Sequence, residues 1–166
     1  MEPFITFVVP MYNKENEINR LIKSISSSPS YSDSIEILVV DDSSTDNSIN
    51  VMTPLLNDQV RLIRLPENAG VHYARNMGLE NAFGKWIVCL DADDYLATNG
   101  LSKIIDSFLK YENAYSVILF SYLTDKGEKS GLIQEGEYSS EELFGDEKPS
   151  KDPFDGEYTD EELFGD

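Results

Sequence analysis

Short apolar runs alternate along the chain with segments in which apolar residues return every three or four positions. Residues 4–9 and 35–40 are almost wholly apolar, the pattern of strands covered on both faces. Residues 60–65 form a third run, interrupted by Arg61 and Arg64, and residues 86–90 and 115–123 form a fourth and a fifth. Between the first two, Ile18, Leu21, Ile22 and Ile25 stand at i, i+3, i+4 and i+7, which predicts a helix with one apolar face. A second helix is expected after a cap at Ser44 or Thr45, carrying Ile49, Met52, Leu55 and Leu56, with Pro54 acting against it. A third is expected over residues 73–83, offering Ala74, Leu79, Ala82 and Phe83 for packing and closing at Gly84. A fourth, opened by Thr98 or Asn99, carries Leu101, Ile104, Ile105, Phe108 and Leu109. Repeated strand–helix alternation with short connections predicts an α/β fold: a doubly wound, mostly parallel sheet with helices on both faces.

After Asp125 this pattern dissolves. The segment from Gly136 to Asp146 recurs twenty positions later as Gly156 to Asp166, with nine of eleven positions identical. Two copies are too few for a solenoid. The expected organisation is therefore a folded part over residues 1–134 and an acidic, twice-repeated tail over 135–166. Charge sharpens the boundary, because 13 of the 31 acidic side chains and only 2 of the 13 basic ones fall in that tail. The tail reads as a solvated acidic segment, with docking to a partner protein as the alternative. A net charge of −18 argues against a nucleic-acid partner. Cys89 stands alone, so no intrachain disulfide and no cysteine-built metal site can form; within its apolar run it reads as a small buried hydrophobe. The start has no basic n-region and no apolar stretch long enough for a signal, so a cytoplasmic protein is expected.

In open α/β sheets ligands bind outside the carboxyl ends of the strands, and the polar clusters of this chain fall there. The first run ends in Pro10-Met11-Tyr12-Asn13, where the tyrosine could lie against a planar base or simply belong to a turn. The second ends in Asp41-Asp42-Ser43-Ser44-Thr45-Asp46. Two carboxylates directly after a buried strand need solvent or a partner; they could accept the imide N–H of uracil or ribose hydroxyls, and a helix N-cap would explain one of them. The fourth ends in Asp91-Ala92-Asp93-Asp94, where mutual repulsion invites a divalent cation. Oxygen-only ligands suit Mg2+ or Mn2+, which bind one or two carboxylates together with phosphate and water. A solvated acidic turn is the competing account. Arg75, near the start of the third helix, could contact a phosphate or form a surface ion pair. His72, the single histidine, is assigned no role.

Taken in order, Val8-Val9-Pro10-Met11-Tyr12-Asn13, Val39-Val40-Asp41-Asp42-Ser43-Ser44-Thr45-Asp46, Asn68-Ala69-Gly70 with Ala74-Arg75-Asn76-Met77-Gly78-Leu79, and Leu90-Asp91-Ala92-Asp93-Asp94 resemble the family 2 glycosyltransferases of the GT-A fold. The resemblance covers roughly residues 4–123. It implies that Pro10, Tyr12 and Asp42 line a base pocket with Glu15 close by, and that Asn13, Asp41 and Ala92 belong to the same nucleotide-sugar site. It further implies that Asp91 faces the ribose or the metal, that Asp93 is the ligand of a Mn2+ or Mg2+ ion, and that Arg75 approaches the nucleotide or the sugar. The implied reaction transfers a sugar from a nucleotide-diphosphate sugar, UDP being the expected nucleotide, to a glycan or lipid-linked acceptor with inversion. A lipid-linked acceptor would place the protein at the inner face of the membrane, in peripheral association with it or with a partner protein.

In that reaction a base deprotonates the acceptor while the metal stabilises the leaving diphosphate. Family members carry this base beyond the fifth strand. Here Glu135, Glu137, Glu141 and Glu142 qualify by residue type only, and the base is not identified. The alternative reading is a truncated or non-catalytic nucleotide-sugar-binding module whose tail docks a partner. A nucleotidyltransferase would want a glycine-rich basic loop after the first strand, and Tyr12-Asn13-Lys14-Glu15 is not one.

Overall fold

The computed structural model describes residues 2–111, together with the backbone of residues 122–123 and 129–130. The first four apolar runs become strands: β1 (Ile5–Met11), β2 (Ile35–Asp41), β3 (Val60–Arg64) and β4 (Trp86–Cys89). They form one parallel sheet in the order β3-β2-β1-β4. Every residue of β1 and β2 is buried, as their unbroken apolar runs require of central strands. The helices are α1 (Ile18–Ser26), α2 (Ser48–Met52), α3 (Val71–Asn81) and α4 (Gly100–Tyr111). The chain's contacts divide it into two compact units, Met1–Ile118 and Leu119–Asp166. In the second, Tyr122–Leu123 pairs antiparallel with Lys129–Ser130. The expected strand over residues 115–123 lies largely outside the described residues, as does the expected boundary at 134/135.

Ile5, Phe7, Val9 and Met11 of β1 face one side of the sheet and pack there with Ile18, Leu21, Ile22 and Ile25 of α1, Met52 of α2, and Leu101, Ile104 and Phe108 of α4. Each such side chain contributes about 1.5–3 kcal/mol by leaving water. The opposite side carries Leu38 and Val40 against Ala74 of α3. The chain winds outward from β1 through α1 and α2, then crosses back through α3 to the other side of β1. Because crossovers keep one hand, reversing the direction of winding moves the connecting helix to the other face.

Several local expectations change in three dimensions. Neither Ser44 nor Thr45 caps α2; both remain in the loop, and the helix starts at Ser48 after Asn47. It also ends at Met52, with Thr53–Leu55 tightening into a 3-10 turn around Pro54 and Leu56 exposed. Helix α3 stops at Asn81, so Gly84 is not its terminator. Gly84 lies against β1 instead: its N–H donates to Thr6 Oγ1 at 2.8 Å, and a Cβ there would sit 2.4 Å from the Thr6 nitrogen. The face that α3 turns to the sheet is Ala74 and Gly78, leaving Leu79 and Phe83 exposed. Cys89 is exposed rather than buried, because β4 is the edge strand among the described residues and only alternate side chains find cover.

Arg61, which breaks the apolar run of β3, has a buried partner. Glu36 is 3% exposed and accepts from Arg61 Nη1, from Thr6 Oγ1 at 2.5 Å and from the Phe83 N–H at 3.0 Å. A carboxylate so deep in the sheet is tolerated because a cation and two further donors satisfy it. The Arg61 guanidinium also lies over the Phe83 ring, 4.3 Å from its centroid.

Candidate functional site

Reversal of winding puts the switch point of the sheet between β1 and β4, and α/β sheets bind ligands at the carboxyl ends of the strands there. Pro10 stops the two strands from pairing further. Leu90 N–H donates to Val8 O at 3.0 Å, and the next rung would need an N–H at Pro10, which proline lacks. The two strands therefore part where β1 delivers Tyr12 and β4 delivers Asp91 to Asp94. Pro10 is buried at this point, and Tyr12 is 43% exposed, with its ring open to a planar partner.

Asn13 and Glu15 tie the end of β1 to the end of β2. Asn13 takes a positive φ of 51°, which asparagine tolerates. Its Oδ1 accepts from the N–H groups of Thr45 at 2.8 Å and Asp46 at 3.3 Å, while its own N–H donates to Ser44 Oγ at 2.9 Å. Glu15 N–H donates to Asp46 Oδ2 at 3.1 Å, and Glu15 Oε2 accepts from Asn47 N–H at 2.8 Å. Ser44 and Thr45 thus shape the loop, and the helix begins only after Asn47, whose carbonyl accepts from Val51 N–H at 3.1 Å. The side-chain oxygens that hold Thr45 and Asn47 come from more than thirty residues away, which local pattern does not reveal.

Asp41 and Asp42 both find partners inside the fold. Asp41 is fully buried, accepts from Ser44 N–H at 3.2 Å and stands 3.6 Å from Arg64 Nε. Asp42 is 3% exposed, and its two oxygens accept from the N–H groups of Ala69 at 2.8 Å and Gly70 at 2.9 Å. That pair of bonds fixes the loop leading into α3, where Gly70 has a φ of 91°. Each Asp42 oxygen keeps a second lone pair for a ligand donor.

The acidic turn after β4 is held from three directions. Arg75 Nη2 reaches Asp91 Oδ1 at 2.9 Å, and Lys14 Nζ reaches Asp93 Oδ2 at 2.8 Å. Arg20 Nη2 donates to the Asp93 carbonyl oxygen at 2.8 Å, and its guanidinium lies 4.3 Å over the Tyr95 ring centroid. Asp94 N–H closes the turn onto Asp91 O at 3.0 Å, and Ala92 is buried beneath it. The hydrogen bond from Lys14 holds the Asp93 carboxyl below its ordinary range, and the same bond raises the Lys14 ammonium. Lost solvation, followed by the charges of Asp91 and Asp93, raises Asp94.

The predicted binding residues lie on the last residues of β1 and β2 (Pro10 and Asp41), on the loops that follow the strands, or, for Arg75, on the first turns of α3. Two cations of the same place were not singled out from the sequence. Lys14 is the base nearest Tyr12, and Arg20 sits on α1 away from its buried face, but their acidic partners lie 79 and 73 residues onward. The glutamates considered for the base, Glu135, Glu137, Glu141 and Glu142, lie outside the described residues.

Comparison with known proteins gives a consistent picture. The model of glycosyl transferase family 2 matches residues 6–156. An uncharacterised glycosyltransferase of Haemophilus influenzae is 38% identical over 110 residues, 65% of this chain and 43% of that protein. The minor teichoic acid biosynthesis protein GgaA of Bacillus subtilis is 33% identical over 132 residues, 76% of this chain and 29% of its own. Among solved structures, S. aureus TarS in complex with UDP-GlcNAc superposes with a TM-score of 0.61 at 25% identity, covering 72% of this chain and 37% of that one. Mannosyltransferase PcManGT from Pyrobaculum calidifontis, in complex with GDP-Man and Mn2+, gives 0.58 at 27% identity, covering 65% of this chain and 33% of that one. The chain spans less than half the length of each of these four.

Proposed function

The chain belongs to glycosyl transferase family 2, and we propose that it is the donor-binding part of a metal-dependent, inverting enzyme that moves a sugar from a UDP-sugar to a glycan or lipid-linked acceptor. The observation that carries this reading is the switch point of the sheet, where β1 ends beside the exposed Tyr12 and the neighbouring β4 ends in the acidic turn. The solved relative bound to UDP-GlcNAc supports a uridine nucleotide, and the one bound to GDP-Man and Mn2+ supports a divalent cation.

Tyr12 would stack on the base, and the free lone pairs of Asp42 would accept its imide N–H. Among the described residues no three His, Cys, Asp or Glu side chains converge into a full ligand set. The donor chemistry nevertheless fits a hard cation: Asp91 and Asp93 are exposed oxygen donors beside each other, and Mg2+ or Mn2+ completes its shell with phosphate and water. Asp93 would hold the ion, with Asp91 beside it or on the ribose. When bound, the ion would neutralise charge on the leaving diphosphate. The reading puts the protein on the cytoplasmic side, at the inner membrane face where a lipid-linked acceptor is met.

Calorimetric titration of UDP, dTDP and GDP, first with Mn2+ and then with EDTA, tests the donor site. Metal-dependent binding of UDP is expected, and its loss in Asp93→Ala with the fold retained. Absence of binding by all three nucleotides would overturn the reading. Binding of UDP-sugars without transfer to any glycan or lipid-linked acceptor would favour a non-catalytic nucleotide-sugar module.

A further inference from the structure

Three carboxylates stand within four residues at Asp91, Asp93 and Asp94, and the fold brings three cations to them in different ways. Arg75 pairs with Asp91 from a helix, Arg20 binds a backbone carbonyl and stacks on a ring, and of the three it is Lys14 that reaches the Asp93 carboxylate. The backbone under Lys14 is firmly held. Its N–H donates to Ser48 Oγ at 2.7 Å, and its carbonyl accepts from Glu17 at 3.2 Å and Ile18 at 3.1 Å. Only the flexible four-carbon stem must move for the ammonium to leave Asp93. The Lys14 and Asp93 side chains are 32% and 55% exposed, so water screens the pair and keeps it exchangeable.

We propose that Lys14 is a built-in counter-ion for Asp93, occupying that carboxylate in the cation-free protein and competing with a divalent cation for it. The inference rests on the donor-site reading and adds a regulatory term to it. Binding of the cation requires release of the lysine, which sets free a positive charge beside the diphosphate position. Metal and nucleotide affinity are then coupled through one side chain. Lys14 disfavours cation binding in the empty site and offers its ammonium to phosphate once displaced.

The competition is small by nature. An exposed pair is worth about 0.2–1 kcal/mol, so removing the ammonium should tighten Mn2+ binding by roughly 1.4- to 5-fold. The experiment is Mn2+ titration of the full chain without nucleotide, followed by calorimetry or by the electron-spin signal of free Mn2+. Lys14→Met is expected to bind Mn2+ more tightly by that factor, and Lys14→Arg to return to the parent value. Lys23→Met, which removes a charge from the exposed face of α1, controls for the field of a strongly acidic protein and should change little. In the presence of Mn2+, UDP affinity should fall in Lys14→Met and recover in Lys14→Arg.

Unchanged or weaker Mn2+ binding in Lys14→Met, while Asp93→Ala abolishes it, would overturn the inference and leave the donor site standing. Equal tightening in Lys14→Met and Lys23→Met would also overturn it, as a general field effect. If the parent chain binds no Mn2+ with or without nucleotide, the donor-site reading fails first and takes the inference with it.

Discussion

Replacing Gly78 by alanine sets two opposing effects against each other at a defined distance. Gly78 lies inside α3, where alanine is favoured over glycine by about 1 kcal/mol. An added Cβ, however, would sit 2.3 Å from Val8 Cγ1 and 3.4 Å from Val40 Cγ2. Val8 is fully buried on a central strand and, being β-branched, has few rotamers to retreat into. Relieving the contact requires α3 to lift by roughly 1 Å or Val8 to leave its rotamer, which costs about 2–3 kcal/mol in a well-packed core. The steric effect wins, leaving a net loss of about 1–2 kcal/mol and a fall in Tm of roughly 3–8 °C. Urea denaturation of Gly78→Ala should show a lower midpoint with an unchanged slope. The double variant Val8→Ala/Gly78→Ala removes the clashing methyl and should recover at least about 1 kcal/mol relative to the sum of the single changes. A Gly78→Ala protein that is more stable than its parent would refute the reasoning, because helix propensity would then outweigh packing.

Two further outcomes follow from buried and paired carboxylates. Asp42→Asn leaves one of the Ala69 and Gly70 N–H groups facing an amide donor in a buried place, so stability should drop by about 2–4 kcal/mol in chemical denaturation; a loss below about 0.5 kcal/mol would contradict the bracing role. Asp93 titrates below its ordinary value of 3.8, so its contribution is complete above that value and fades as pH falls through the depressed one. Lys14 titrates above 10.5, so its share is complete below that value and fades as pH rises through the raised one. Carbon-detected NMR should place the Asp93 midpoint below that of a free aspartate and move it up in Lys14→Met, whereas an unmoved midpoint would discard the pair.

The elements, and the strand ends on which the candidate residues lie, were legible in the sequence. Unbroken apolar runs at β1 and β2 announced central parallel strands, and Ile18, Leu21, Ile22 and Ile25 announced the buried face of α1. Polar clusters after three of the runs fell at the carboxyl ends of the strands, the side on which open α/β sheets bind ligands. These features depend on neighbours two to four residues apart, which a sequence displays directly.

What stood out of reach depends on residues brought together from far along the chain. Gly78 has no packing role in the sequence until α3 is seen resting on Val8. Gly84 reads as a helix terminator until β1 is found against it, and Cys89 reads as core until β4 is found at an edge. Glu36 looks like a defect in an apolar strand until Arg61 and Thr6 close around it. The acidic turn shows no protein counter-ion for Asp93 until Lys14 arrives from 79 residues away. Local periodicity determined which segments are strands and helices, because backbone geometry repeats over a few residues. Only the tertiary structure decided which of their polar groups meet, because burial and pairing are set by the order of the strands in the sheet.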